Sequence, residues 1–99
     1  VPAYSSSKGG VAQLTKSLAI AYASDAIRVN ALAPGWIATP LTKGLRDDPA
    51  RNNAILARTP LKRWGAPEDL VEPALFLAGA GASFITGTIL NVDGGYAIV

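Results

Sequence analysis

Ninety-nine residues, with nine Lys and Arg against seven Asp and Glu, make one domain of net charge +2. That charge is too small to argue for nucleic acid, and no basic run is interleaved with aromatics. The chain has no cysteine and no histidine, which excludes disulfides, thiolate catalysis and the commonest metal ligands and leaves acid–base work to Tyr, Lys, Asp or Glu.

From about Tyr4 to Ser24 the spacing predicts a helix. Val11, Leu14, Leu18 and Ala21 recur at steps of three and four, which predicts one buried stripe. Ala12, Ala19 and Ala23 make a second stripe of small residues that would admit a close neighbour. Gly9 and Gly10 sit inside this helix at a cost of roughly 1 kcal/mol each, which predicts tight packing there. A strand is expected over Ile27 to Ala33, closed by Pro34 and Gly35.

Residues 36 to 64 read as irregular with helical pieces and hold six of the nine basic residues: Lys43, Arg46, Arg51, Arg58, Lys62 and Arg63. Asp48 before Pro49 is an N-cap and first-turn pair, and the helix it opens should end at Thr59-Pro60. Another helix opens at Pro67, with Glu68 and Asp69 in its first turn, where the positive end of the helix dipole favours them. Leu70, Val71, Ala74, Leu75 and Ala78 are its expected buried face, and Pro73 is expected to kink it. After Gly79 the chain should turn, and "TILNV" reads as a second strand closed by "DGG". Two strands joined by a crossover should be parallel neighbours.

Residues 73 to 92 carry no charge and match a bilayer in length. Gly79, Gly81, Ser83, Thr86, Gly87, Thr88 and Asn91 interrupt them, so a helix end, a turn and a buried strand are expected instead of a membrane span. No targeting segment is visible, and a cytoplasmic location is the expectation. There is no methionine, at position 1 or elsewhere, which points to a processed chain or a piece of a longer one.

Tyr4 and Lys8 stand at i and i+4, on one face of the first helix. A phenol of pKa about 10 is a poor acid–base group at neutral pH. An ammonium about 6 Å away, at an effective dielectric near 20, favours the phenolate by roughly 2–3 kcal/mol. Tyr4 could then give a proton to a carbonyl oxygen or take one from an alcohol. On its own the pair reads first as an ordinary surface tyrosine and lysine, because Tyr-x-x-x-Lys recurs often by chance.

Four blocks occur in order: "YSSSKGGVAQLTKSLA", "IRVNALAPGWIATP", "RWGAPEDL" and "ILNVDGG". Together they resemble the C-terminal part of a short-chain dehydrogenase/reductase over nearly the whole chain. The resemblance implies an α/β fold: the C-terminal part of a Rossmann-like, doubly wound parallel sheet, with two strands, about three helices and the N-terminal half absent. Residues 1–99 are then one fragment of a single domain. The implied activity is interconversion of an alcohol and a carbonyl on a small molecule with NAD or NADP. Tyr4 matches the family's catalytic acid/base. Lys8 matches the lysine that lowers its pKa and binds the nicotinamide ribose. Pro34 and Gly35 match the pair beside the nicotinamide, and Ile37 and Thr39 match residues contacting its carboxamide and the phosphates. Residues 39–64 match the loop that closes over the substrate.

The departures from the family pattern are as informative. The Gly-rich phosphate loop is not in the chain. "GAGASF" at residues 79 to 84 follows a helix and has Phe84 where a third glycine belongs. The family's catalytic serine and relay asparagine lie upstream of the tyrosine. The 99-residue piece alone is therefore expected to be inactive, and an alternative reading is a truncated, non-catalytic fragment that only self-associates. A homo-oligomer, dimer or tetramer, is expected; no nucleic acid, membrane or metal is. "ARTPLKRWGAPEDL" resembles the matching stretch of gluconate 5-dehydrogenase-like sugar-acid dehydrogenases. Its basic residues suit a carboxylate substrate or a solvated face. Trp64 suits a packing anchor or a substrate platform.

Overall fold

The computed structural model describes the backbone of residues 2–98 and the side chains of residues 8–98. Four α-helices, α1 (Pro2–Tyr22), α2 (Lys43–Arg46), α3 (Pro49–Arg58) and α4 (Val71–Ala78), accompany two strands, β1 (Ala31–Pro34) and β2 (Ile89–Val92). The strands are neighbours in one sheet. The Ala31 N–H donates to Thr88 O and the Gly35 N–H to Val92 O, both at 3.0 Å. Both partners advance by four residues together, so the pair is parallel, as the crossover rule requires. The chain forms two compact units, residues 1–32 with 76–90, and residues 33–75 with 91–99.

In the first unit, α1 ends without a glycine. Ala26 takes the left-handed conformation, φ +59°, and the Ile27 N–H closes back on Tyr22 O at 3.2 Å. The expected strand over Ile27 to Ala33 is shorter than the alternation suggested, because side chains replace its first rungs. The Val29 N–H donates to the Thr86 hydroxyl, and Asn30 both donates to Ile85 O and accepts from the Thr88 N–H. Arg28 forks its guanidinium onto Leu77 O, Gly79 O and Ile85 O at 2.8, 3.3 and 3.2 Å. It thereby caps carbonyls at the C-terminal end of α4.

The buried stripe of α1 differs from the expected one. Val11 and Leu14 are 51% and 59% exposed, and among the described residues of α1 the buried positions are Thr15 and Ala19. Of the small-residue stripe only Ala19 is buried, its methyl 3.5 Å from where a Cβ on Gly87 would sit, while Ala12 is half-buried and Ala23 exposed. Thr15 satisfies its hydroxyl on Val11 O at 2.7 Å. Gly9 and Gly10 are exposed and have nothing within 4 Å of a built Cβ among the described residues, so the expected tight packing there is not found.

In the second unit, Asp48 caps α3 as its sequence predicts, its carboxylate accepting from the Ala50 and Arg51 N–H groups. Pro67–Leu70 form a 3₁₀ turn that leads directly into α4. Pro73 therefore falls in the first turn of the α-helix, where a missing N–H is tolerated, and α4 continues past it to Ala78. The expected buried face of α4 is also corrected: Val71 and Leu75 are exposed, while Leu70, Pro73 and Leu77 are half-buried. After β2, Gly94 and Gly95 take positive φ values of +62° and +91°. Thr59 crowds Gly94 and Pro60 crowds Gly95, so side chains there are opposed by conformation and by space alike.

Candidate functional site

Tyr4 and Lys8 lie one helical turn apart along α1. The Tyr4 side chain lies outside the described residues; Lys8 is half-buried in the first unit. Pro34, Gly35, Ile37 and Thr39 fall in the second unit, on one run that leaves β1 and enters the turn before α2.

Gly35 marks the closest backbone approach on this run. A Cβ there would stand 2.7 Å from both Cα and Cβ of Asp93. Two residues on, Ile37 pairs with Gly65 in a parallel bridge. The Gly65 N–H donates to Trp36 O at 2.9 Å and the Ala38 N–H to Gly65 O at 2.8 Å. The peptide joining Trp36 to Ile37 is trans, so its N–H points opposite to its carbonyl, away from Gly65. The Ile37 N–H has no acceptor among the described residues.

Thr42 organises the turn that follows. Its hydroxyl donates to Ile37 O at 2.8 Å and accepts from the Thr39 N–H at 3.0 Å. Arg46, half-buried, donates from Nη2 to Thr39 O at 2.6 Å and from Nε to the Thr42 hydroxyl at 3.4 Å. The Thr39 hydroxyl itself bonds to no described residue.

A cavity of about 500 Å³ opens within this unit, lined by Gly35, Ile37, Leu61, Arg63, Asp69 and Asp93 among others. Arg63 and Asp69 form a two-bond ion pair across 2.9 and 3.4 Å. The Arg63 hydrogen bond, then the Ala66 N–H, hold the Asp69 carboxyl below its usual value, and Asp69 in turn raises the Arg63 guanidinium. Trp36 meets Trp64 and Tyr96 edge to face at 6.1 and 6.4 Å. Arg58 lies 4.5 Å over the Tyr96 ring.

Trp64 is a packing anchor, its indole N–H donating to Asn52 Oδ1 at 2.6 Å. The six basic residues of this segment are each engaged within the second unit. Lys43 pairs with Asp47, Arg51 with Asp48, and Arg63 with Asp69. Arg46 holds the Thr39 turn, Arg58 meets Tyr96, and Lys62 donates to Ala57 O. Sequence reasoning missed Thr42, Arg46, Trp36 and Tyr96. The Thr-x-x-Thr spacing, followed by Arg one turn later, is the signal that could have found the first two.

Ile37 and Thr39 fit a nicotinamide cofactor by the chemistry they present. One outward N–H and one unpartnered hydroxyl suit an amide oxygen and a phosphate oxygen. Among the described residues no group of His, Cys, Asp and Glu could hold a metal ion, and no helix is long and apolar enough to cross a membrane.

The sequence model of a family described as enoyl-(acyl carrier protein) reductase matches residues 1–97. A 2-dehydro-3-deoxy-D-gluconate 5-dehydrogenase of Bacillus subtilis is 51% identical over 97% of this chain and 38% of its own length. A crystal structure from Agrobacterium tumefaciens, of a protein provisionally named 2-deoxy-D-gluconate 3-dehydrogenase and carrying NADP, is 52% identical with a TM-score of 0.92. It is matched over all of this chain and 40% of its own. A 4-hydroxyisoleucine dehydrogenase complexed with NADH is 36% identical, TM-score 0.91, over 99% of this chain and 40% of its own. The chain thus spans about two-fifths of the length of the relatives it matches.

Proposed function

The chain belongs to the short-chain dehydrogenase/reductase family, and from that premise we propose that its protein is an NAD(P)-dependent oxidoreductase interconverting an alcohol and a carbonyl on a small molecule. The observation that carries this reading is the run from Gly35 to Thr39, with its outward Ile37 N–H and unpartnered Thr39 hydroxyl. Ile37 and Thr39 would hold the nicotinamide carboxamide and the phosphates, and Pro34 and Gly35 would lie beside the ring. The bound cofactor supplies hydride chemistry. Tyr4 gives a proton to the carbonyl oxygen in reduction and takes it back in oxidation. Lys8, one turn along, lowers the phenol's pKa and binds ribose hydroxyls.

A sugar acid or polyol is the substrate class, supported by the names of the similar dehydrogenases. The loop over residues 39–64 closes on it. A homo-oligomer and a cytoplasmic location belong to the same reading; for the oligomer, the exposed Val11 and Leu14 on α1 offer an apolar face. That exposure also favours a second reading, a non-catalytic chain that only self-associates.

Nicotinamide binding and turnover separate the two. In the protein at its full natural length, Tyr4→Phe should abolish turnover while leaving cofactor affinity near that of the parent. Lys8→Ala should lower both. A Tyr4→Phe protein that turns over at the parent's rate would remove Tyr4 as the acid.

A further inference from the structure

We propose that Thr42 and Arg46 are positioning residues for the cofactor, a latch that fixes the backbone of Ile37 and Thr39 in its binding geometry. The inference rests on the cofactor reading above and adds two residues that lie outside the four blocks quoted for the family resemblance. Its basis is the hydrogen-bond network of this turn. The Thr42 hydroxyl has one proton and two lone pairs. The proton goes to Ile37 O at 2.8 Å, and the lone pairs take the Thr39 N–H at 3.0 Å and Arg46 Nε at 3.4 Å. Thr39 O also has two lone pairs, taken by the Thr42 N–H at 3.1 Å and Arg46 Nη2 at 2.6 Å, with the Thr42 hydroxyl at 3.2 Å leaving its proton to the shorter bond on Ile37 O.

The consequence for Ile37 and Thr39 is directional. The peptide following Ile37 is held at both ends, its carbonyl by Thr42 and its N–H, on Ala38, by Gly65 O. The peptide preceding it is held by its Trp36 carbonyl on the Gly65 N–H. With both flanking planes fixed, the Ile37 N–H has one direction available. Thr39 has its N–H and its carbonyl both taken inward, so its side chain is the polar group left to face a ligand. Without Thr42 and Arg46 the turn keeps its covalent geometry and loses three of these restraints, on Ile37 O, the Thr39 N–H and Thr39 O. A binding site whose donors must be ordered on arrival binds more weakly than one already ordered.

The side chains also divide the work. Arg46 reaches back seven residues to Thr39 O with a charged donor, and Thr42 supplies a neutral hub. Arg46→Lys cannot place two donors in a fork, so it should behave as a partial loss.

The test uses the protein at its full natural length and measures the Kd for NADH and NADPH by fluorescence titration. Thr42→Val, close in shape and without the hydroxyl, should raise the cofactor Kd at least tenfold. Thr42→Ser should restore it to within about threefold, because serine offers the same proton and lone pairs. Arg46→Gln, the second variant, should raise Kd by a smaller factor. Rescue by Thr42→Ser, which a general loss of structure would not allow, separates the latch from a folding defect. Amide exchange at Thr39 in the cofactor-free protein should accelerate in Thr42→Val. Should Thr42→Val bind cofactor within twofold of a parent that binds it, the latch is refuted and the oxidoreductase reading stands. A parent that binds neither cofactor overturns both.

Discussion

Gly35→Ala should lower the unfolding free energy by about 2–4 kcal/mol, and the number follows from the space around one methyl. The added Cβ would stand 2.7 Å from both Asp93 Cα and Asp93 Cβ and 3.1 Å from Asp93 O. Carbon atoms meet comfortably at about 3.5–4.0 Å, so the two backbones must part by roughly 1 Å. A flexible side chain could swing aside; these are backbone atoms and the Cβ attached to them. Overpacking of this kind costs about 1–3 kcal/mol. Parting the chains also stretches the bond from the Gly35 N–H to Val92 O. It disturbs Asp93 as well, whose carboxylate accepts from the Gly95 and Ala97 N–H groups, and one such bond adds about 1 kcal/mol. The matched control is Gly44→Ala in α2, where nothing lies within 4 Å of the new methyl. There alanine should be neutral or stabilising by up to about 1 kcal/mol. Urea unfolding followed by fluorescence, with Trp36 and Trp64 in the same unit as both glycines, reads the difference. A Gly35→Ala protein that unfolds at the parent's urea concentration would refute the steric argument, and so would an equal loss in Gly44→Ala.

Arg28→Ala should cost about 2–3 kcal/mol, since it strips a charged donor from three carbonyls at once; urea unfolding should also show Arg28→Lys recovering only part of the loss. The Asp69 carboxyl, held below its usual value by Arg63 and the Ala66 N–H, should titrate below an ordinary aspartate when followed by NMR. Because its folded pKa is depressed, its contribution to stability is complete above the unfolded pKa and is lost as pH falls through the folded value. The gap in unfolding midpoint between parent and Asp69→Asn should therefore be constant near neutral pH and close in acid; a gap that widens on acidification would reverse the assignment.

What the sequence made legible was the punctuation. Asp48-Pro49 opens α3, Thr59-Pro60 ends it, Pro67 opens the turn into α4, and "DGG" closes β2. Each is a local signal whose cause lies within four residues. The buried faces were not legible, because an apolar stripe reports what could be buried and not what is nearby. On α1 the stripe through Val11 and Leu14 is exposed, and the small residue Ala19 meets the turn at Gly87. Periodicity names a helix face; close approach of backbone to backbone selects the face with the least side chain on it. Similarly, the N-terminal rungs of the expected strand at Ile27 were replaced by bonds through Asn30 and Thr86, whose partners lie more than fifty residues away.

The candidate site divides along the same line. Tyr4 with Lys8, and the Pro34 to Thr39 run, are short strings whose residue types carry their chemistry, so they could be picked out before any geometry. Thr42 and Arg46 carry none that a reader would notice: a threonine in a turn and an arginine in a basic segment. Their role depends on the turn register that sets the Thr42 hydroxyl between Ile37 O and the Thr39 N–H. The same dependence explains the basic segment. Counted along the chain, six cations look like a field prepared for an anionic substrate. Each of them already has a partner within its own unit, from Asp47 for Lys43 to Asp69 for Arg63. A carboxylate arriving there must compete with those partners. Selectivity for a sugar acid, where it exists, then has to come from rearrangement of a pair such as Arg63 and Asp69 or from residues outside this segment.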